Sequence, residues 1–301
     1  MPITALHREE AEDWIRLAFV PELPVPLALK AVQVFGGAAE ALSAPLKDLA
    51  REVGGRTAEA MRAVGRGSCD AELELVMDWL ESKPMSALLP IYDPLYPQGL
   101  IEAGSAPLVL YLAGDFDVLE KPRIALAGTE APDEEGRRNA ADFAAAISRA
   151  GMTAVSALES SSGIAGAALE GVLSVRGAPI ALLATAPDRA LGKSAPLQRR
   201  VLDEGGLLVS AVRPGYGVSE ESRQVRDVLL AAFAPTLLVV EADRSDPALL
   251  VARQAADAGV QVGAVPGSIH NPQYKGCHRL IRDGAALVET LSDLGVRRQP
   301  R

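Results

Sequence analysis

The first 80 residues carry apolar side chains at the spacing of short amphipathic helices. Between positions 9 and 19 the apolar residues recur every three or four positions, which places them on one face of a helix. A proline-rich break follows at 21–26, because proline cannot continue a helix interior. Further helices are predicted over 27–35, 38–42, 46–53 and 71–80. The pattern therefore predicts a small N-terminal helical domain over residues 1–85.

From Arg123 onwards, short apolar runs alternate with helical segments. The predicted strands are 123–126, 152–155, 179–184, 207–210, 236–241 and 261–265, and the helices between them are 137–149, 164–175, 195–204, 221–231 and 247–258. This alternation predicts an α/β fold over residues 86–295, an extended Rossmann-like, doubly wound and mostly parallel sheet with helices on both faces. A basic tail, 296–301, ends the chain. Ligands of such sheets bind beyond the carboxyl ends of the strands, so the loops there are the candidate site.

Composition narrows the function classes. The net charge of the 301 residues is −9, which excludes a uniformly basic nucleic-acid binder and leaves only a local basic patch. Aromatic residues make up 4% of the chain, which argues against a surface of stacked aromatic platforms. The two cysteines, Cys69 and Cys277, lie far apart without CxxC spacing, so we expect a reducing compartment and no metal site. The most apolar run, 228–240, is too short to span a bilayer, and we expect a cytoplasmic protein.

Two segments carry a resemblance to a known family. Residues 90–115 read PIYDPLYPQGLIEAGSAPLVLYLAGD, and residues 264–285 read AVPGSIHNPQYKGCHRLIRDGA. Their order and spacing resemble the DprA/Smf family of DNA-processing proteins, with good register over roughly residues 89–292. The resemblance implies binding of single-stranded DNA, a homodimer, loading of a RecA-type recombinase, no cofactor and no bond-breaking chemistry.

The N-terminal domain departs from the family pattern. Many members carry a helix-hairpin-helix turn there, with a Gly-x-Gly core that presents backbone N–H groups to phosphate. The matching stretch here is PELPVP at 21–26, which has no glycine and whose prolines lack the N–H donor. We therefore favour a packing or dimerisation role over DNA contact for this domain.

The first candidate loop follows the strand predicted at 123–126. The resemblance places a Gly-Ser-Arg here, whose arginine reaches a phosphate of single-stranded DNA. Gly128 and Thr129 fit that turn, but Glu130 stands where the arginine is expected and reverses the charge. Alternatively, Gly128 only closes a tight turn between strand and helix.

The second candidate loop is rich in serine. Ser161, Ser162 and Gly163 open a helix, whose N-terminus favours an anion. The resemblance also places an aspartate and a histidine in this helix, and Ala165 and Leu169 replace them. The loop is either a phosphate cradle or a solvated turn.

Further candidate contacts come from basic residues and the second motif. Lys193 lies within one position of a segment whose lysine commonly contacts DNA in the family, and Arg226 is the surviving arginine of an Arg-Asn-Arg motif. Both are predicted on exposed positions, where solvation is the alternative. Gly267, Lys275 and His278 complete the candidate phosphate-binding set.

Catalysis finds little support in the sequence. No histidine is accompanied by a nucleophile in an elbow, and no strand is followed by a G-x-G-x-x-G fingerprint. Glu241 closes a strand and is predicted to order a loop rather than to act as a general base. We therefore predict a DNA-binding mediator that is not an enzyme. Two alternatives stay open, namely a sensor of a nucleotide or signal molecule and a dimerisation scaffold without a ligand.

Overall fold

The computed structural model of the chain describes residues 7–83, 85–104 and 106–296. Positions 297–301 of the predicted basic tail lie outside the described residues. The N-terminal part is helical, as predicted, and its helices are α1 (Arg8–Ala18), α2 (Val25–Phe35), α3 (Ala38–Ser43), α4 (Leu46–Val53), α5 (Gly55–Gly65) and α6 (Asp70–Ser82). Helix α5 was not predicted from the sequence. Among the helices of the described residues, none has the length and apolar character needed to cross a bilayer.

The remaining chain forms an α/β unit, which confirms the predicted fold class. Its first elements are β1 (Ser86–Pro90), α7 (Gln98–Glu102) and β2 (Val109–Gly114). The alternating part comprises β3 (Arg123–Ala127), α8 (Glu134–Arg149), β4 (Thr153–Ala157), α9 (Ile164–Ser174), β5 (Ile180–Leu183), α10 (Ala195–Asp203), β6 (Leu207–Ser210), α11 (Glu220–Ala232), β7 (Thr236–Val239), α12 (Ala248–Asp257), β8 (Gln261–Ala264), α13 (Lys275–Arg282) and β9 (Ala286–Leu287).

The strands form one nine-stranded sheet in the order β1-β2-β6-β5-β4-β3-β7-β8-β9. Strands β3 to β9 are mutually parallel, whereas β2 runs antiparallel to both β1 and β6. The chain builds outward from β3 to β6 and then returns to place β7 on the other side of β3. The strand order therefore reverses between β3 and β7. In doubly wound sheets, the crevice at the carboxyl ends of two such strands is where ligands bind.

Strands β3 to β7 are mostly apolar because they are buried on both faces. In β3, Ala125 and Ala127 pack on the face covered by α11, α12 and the N-terminal helices. Ile124 and Leu126 point to the opposite face, against α8 and α9. The loops at the carboxyl edge thus stand on a scaffold that is packed on both sides.

The N-terminal helices pack on the antiparallel edge of the sheet. All five residues of β1 are buried. The Ser86 hydroxyl donates to the carbonyl oxygen of Lys83 at 2.6 Å, just after the end of α6. The Trp79 ring of α6 meets Tyr111 of β2 edge to face, with ring centroids 6.3 Å apart. The helices and the edge strands therefore share one hydrophobic core.

Candidate functional site

The turn after β3 is fixed against the end of β7 and the start of α9. Thr129 N donates to the carbonyl oxygen of Glu241 at 2.8 Å, and Ile164 N donates to Thr129 O at 3.0 Å. A Cβ atom at Gly128 would lie 2.7 Å from Glu241 O and 2.8 Å from the Ile164 side chain. Close packing therefore requires glycine at position 128, whatever this turn binds.

The Glu130 side chain lies over the start of α9. A Cβ atom at Gly163, the residue that caps this helix, would lie 2.7 Å from Glu130 Oε2. Partial burial and the nearby Glu159 carboxylate raise the pKa of Glu130 to about 7. A carboxyl group that ionises near neutral pH thus lies where the helix N-terminus would favour a bound anion.

The serine loop, Ser160–Gly163, is joined to the loop before α10. Ser161 N donates to the Ser194 hydroxyl oxygen at 2.9 Å, and the Ser194 hydroxyl donates to Glu159 O at 3.0 Å. Arg137, on the first turn of α8, donates from Nη1 to Ser162 O at 2.5 Å. The predicted residues Ser161, Ser162 and Gly163 thus lie beside Gly128 and Thr129. Arg137 is a neighbouring cation that the sequence analysis missed.

Lys193 is exposed, as predicted, next to Ser194. Its segment, the lysine loop (residues 186–194), is braced by Gln198 of α10, whose side chain accepts from Leu191 N and donates to Arg189 O at 2.9 Å. Lys193 is therefore presented on an ordered loop beside the serine loop.

The prediction that Arg226 lies at an exposed position was wrong. Arg226 lies in the middle of α11 with only 11% of its side chain exposed, and its guanidinium binds Glu159 and, at 2.7 Å, Asp227. Arg223 also donates to Glu159, at 2.8 Å. Burial alone would raise the pKa of Glu159, but the hydrogen bonds from Arg226 and Arg223 lower it. The sequence showed neither the burial nor the partner, because Glu159 lies in a distant loop.

Gly267, Lys275 and His278 form a separate cluster at the start of α13. His278 Nε2 lies 3.0 Å from Gly267 O, and the Lys275 ammonium donates to the carbonyl oxygen of Ile269. The ring of Tyr274 covers Gly267 so closely that a Cβ atom there would overlap it. All of these contacts stay within residues 267–278.

Glu241 connects the two clusters. Its carboxyl group is fully buried, and Oε1 accepts from Asp133 N at 3.1 Å. Asp133 in turn accepts from the Asn271 side chain at 2.8 Å. Burial raises the pKa of Glu241 to about 7, and Oε2 has no hydrogen-bond partner among the described residues. Glu241 orders the loop after β3, as predicted.

Sequence comparison identifies relatives of this chain. Residues 87–298 match the sequence model of the family described as DNA recombination-mediator protein A. Protein Smf of Escherichia coli is 31% identical over 217 residues, which cover 72% of this chain and 57% of that protein. The DNA processing protein DprA of Streptococcus pneumoniae is 29% identical over 204 residues, covering 68% and 71%. A putative DprA of Mycobacterium tuberculosis is 34% identical over 195 residues, covering 64% and 49%.

Solved structures share the fold. The X-ray structure of DNA processing protein A from S. pneumoniae superimposes with a TM-score of 0.77 at 24% identity, covering all of both chains. DNA processing protein A from Helicobacter pylori gives a TM-score of 0.61 at 19% identity, covering 69% of this chain and 93% of that one. The matched part of this chain spans about half the length of the E. coli and M. tuberculosis relatives. The family match nevertheless extends over most of the residues of this chain. The chain belongs to the DNA recombination-mediator protein A family, the DprA/Smf proteins.

Proposed function

We propose that this protein binds single-stranded DNA as a recombination mediator, along the loops at the carboxyl edge of its sheet. Family membership supports the proposal, as does the H. pylori relative, which is described by its single-stranded DNA binding mode. Contact with DNA is proposed to be electrostatic and local, since the chain as a whole carries a net charge of −9.

The observation that carries the proposal is the distribution of unpaired cations. Among the described residues, no carboxylate forms an ion pair with Arg137, Arg189 or Lys193. Arg223 and Arg226, by contrast, share Glu159, and each has a second carboxylate partner, Glu220 for Arg223 and Asp227 for Arg226. The available positive charge therefore follows the serine loop and the lysine loop rather than α11.

These cations lie along a continuous path. Arg137 contacts the serine loop at Ser162, and Ser194, the residue after Lys193, accepts a hydrogen bond from Ser161 N of the same loop. Arg189 lies four residues before Lys193 in the lysine loop. A single-stranded DNA whose backbone followed this path would meet three cations and the hydroxyl groups of the serine loop. These groups are donors suited to phosphate oxygens.

The proposal is tested by fluorescence anisotropy with a labelled oligothymidylate at several salt concentrations. The logarithm of the affinity is expected to fall with the logarithm of the salt concentration, with a slope of about −0.7 per phosphate neutralised. Lys193→Ala is expected to weaken binding by about tenfold and to reduce that slope by about 0.7. Lys121→Ala is the matched control, because this exposed lysine precedes β3 at the opposite, amino edge of the sheet.

Three results would contradict the proposal. They are no binding at low salt, tight binding without salt dependence, and equal effects of Lys193→Ala and Lys121→Ala. Competition by a mononucleotide as strong as that by the oligonucleotide would favour the sensor alternative.

Assembly belongs to the same proposal and rests on family membership. We propose that the chain forms a homodimer and loads a RecA-type recombinase onto the strand it holds, without bond-breaking chemistry of its own. Light scattering after gel filtration tests whether the chain forms a dimer. A DNA strand-exchange assay with a RecA-type recombinase tests whether the protein loads the recombinase onto single-stranded DNA.

A further inference from the structure

A tight turn after β6 presents an aromatic ring beside the lysine loop. Residues 213–216 read RPGY, and Tyr216 N donates to Arg213 O at 3.2 Å. Pro214 and Gly215 occupy the two central positions, and Gly215 has a φ of +86°. Proline followed by a residue with positive φ is the arrangement that a type II turn requires. The conformation of the turn is therefore set by its own sequence.

The lysine loop and the residue before it anchor this turn. Gly215 N donates to both carboxylate oxygens of Asp188, at 3.2 and 3.3 Å. Tyr216 O accepts from Ala186 N at 3.1 Å and from the Thr185 hydroxyl at 3.2 Å. Arg189 donates to Gly215 O. The backbone of Tyr216 is thus held in place before any ligand arrives, so binding there costs little further ordering.

The Tyr216 ring takes part in a three-member stack. The guanidinium carbon of Arg213 lies 4.2 Å from the centroid of the Tyr216 ring and 4.6 Å from that of Phe19. Arg213 Nη2 also donates to the Tyr216 hydroxyl at 2.7 Å. The guanidinium covers one face of the tyrosine, and yet 41% of Tyr216 is exposed. Tyr216 thus remains on the surface although it contacts Arg213.

The cations around Tyr216 favour a polyanion, and its exposed ring favours one that carries aromatic bases. Arg213 and Arg189 flank Tyr216, and Lys193 follows in the same loop. Asp188 is the opposing carboxylate, and the backbone N–H of Gly215 engages it. Val218, which is 50% exposed, adds apolar surface close to the tyrosine. Phosphates suit the cations, and a nucleobase suits the exposed ring.

We infer that Tyr216 is a stacking platform for a base of the single strand whose backbone passes Arg189 and Lys193. This inference rests on the proposed function and deepens it, because it adds a base contact to a surface otherwise defined by phosphate contacts. The low aromatic content of the chain argued against a surface of several stacked aromatic side chains. A single stacking site requires only one aromatic residue. Stacking on a tyrosine tolerates any base sequence, since every base has a π-face.

The test uses oligothymidylates that carry one 2-aminopurine, whose fluorescence is quenched when the base stacks. Wild-type protein is expected to bind and to quench the probe at one position of the oligonucleotide. Tyr216→Ala is expected to abolish that quenching and to weaken binding about tenfold, while Tyr216→Phe retains both within about twofold. An oligonucleotide with abasic sites in place of the stacked bases is expected to bind wild type and Tyr216→Ala equally.

The outcomes separate the two proposals. Absence of binding by the wild-type protein overturns the proposed function together with this inference. Normal binding with unchanged quenching in Tyr216→Ala overturns only the inference. An equal loss on normal and abasic oligonucleotides would also overturn it, because it would assign Tyr216 to shaping the lysine loop. Tyr216→Leu, which keeps apolar volume without a π-face, must behave like Tyr216→Ala.

Discussion

Replacing Glu130 by glutamine is expected to tighten binding of single-stranded DNA above neutral pH. The carboxyl group lies against Gly163 at the start of α9, where a phosphate on the serine loop would be held. The charged groups that interact with it are Glu159, Asp227, Asp246 and Arg226. Three of these four are acidic, so the ionised form adds negative charge to an already acidic corner of the site.

The expected magnitude follows from Coulomb's law. A phosphate about 7 Å from the ionised carboxylate, at an effective dielectric of about 20 to 40, is repelled by about 1–2 kcal/mol. This energy corresponds to about a five- to thirtyfold loss of affinity. Because the pKa of Glu130 is about 7, the repulsion is largely absent at pH 6 and nearly complete at pH 8. Binding by the wild-type protein should therefore weaken across this range, and binding by Glu130→Gln should not.

The assay is anisotropy titration from pH 6 to pH 8 at constant ionic strength. Glu170→Gln is the matched control, because Glu170 is exposed on the same helix, α9. Glutamine at 130 should not lower stability. The raised pKa of Glu130 means that its ionisation destabilises the folded state as pH rises from about 4.5 to about 7. Parallel pH profiles for wild type and Glu130→Gln, with the fold intact, would refute the reasoning and show that this turn does not face the ligand.

Two further predictions concern stability. Arg226→Ala removes a largely buried partner of Glu159 and is expected to lower the free energy of unfolding by about 2 kcal/mol in urea titrations. The control is Arg199→Ala at an exposed position, which is expected to change the free energy of unfolding by less than about 0.5 kcal/mol. Equal values for the two variants would show that the Arg226–Glu159 pair contributes nothing to stability. A Cβ atom at Gly276 would overlap Asp243 O and lie 2.6 Å from Ala242 O, so Gly276→Ala should cost about 2–3 kcal/mol. Gly217→Ala, which meets open space, is its control, and similar melting temperatures for the two variants would contradict the expected clash.

The parallel part of the fold was predictable because burial on both faces produces continuous apolar runs. The predicted strands at 207–210 and 236–241 lie within two residues of β6 and β7. Strands β1 and β2 were missed, since they pair antiparallel and lie outside the regular β-α repeat, with only the short α7 between them. Helix α5 was missed because it begins at Gly55 directly after Gly54, and glycine lowers helix propensity.

The candidate site was predictable only as far as topology fixes it. Gly128, Thr129 and the serine loop follow adjacent parallel strands, and the structure brings them together at the same edge. The pairing of Arg226 with Glu159 depends on how α11 packs on the sheet, which no local pattern encodes. For the same reason, the contact of His278 with Gly267 was not expected.

The buried edge strand β1 has a consequence for any shortened form of this protein. An outer strand with free backbone groups is a template for pairing with another chain, and proteins suppress this by covering or charging the edge. Here β1 carries Leu88 and Leu89, both fully buried, beside α6. The family match begins at residue 87, inside this strand. A fragment cut at that point would lose the helices that pack on β1, and we expect it to pair edge to edge with its own copies.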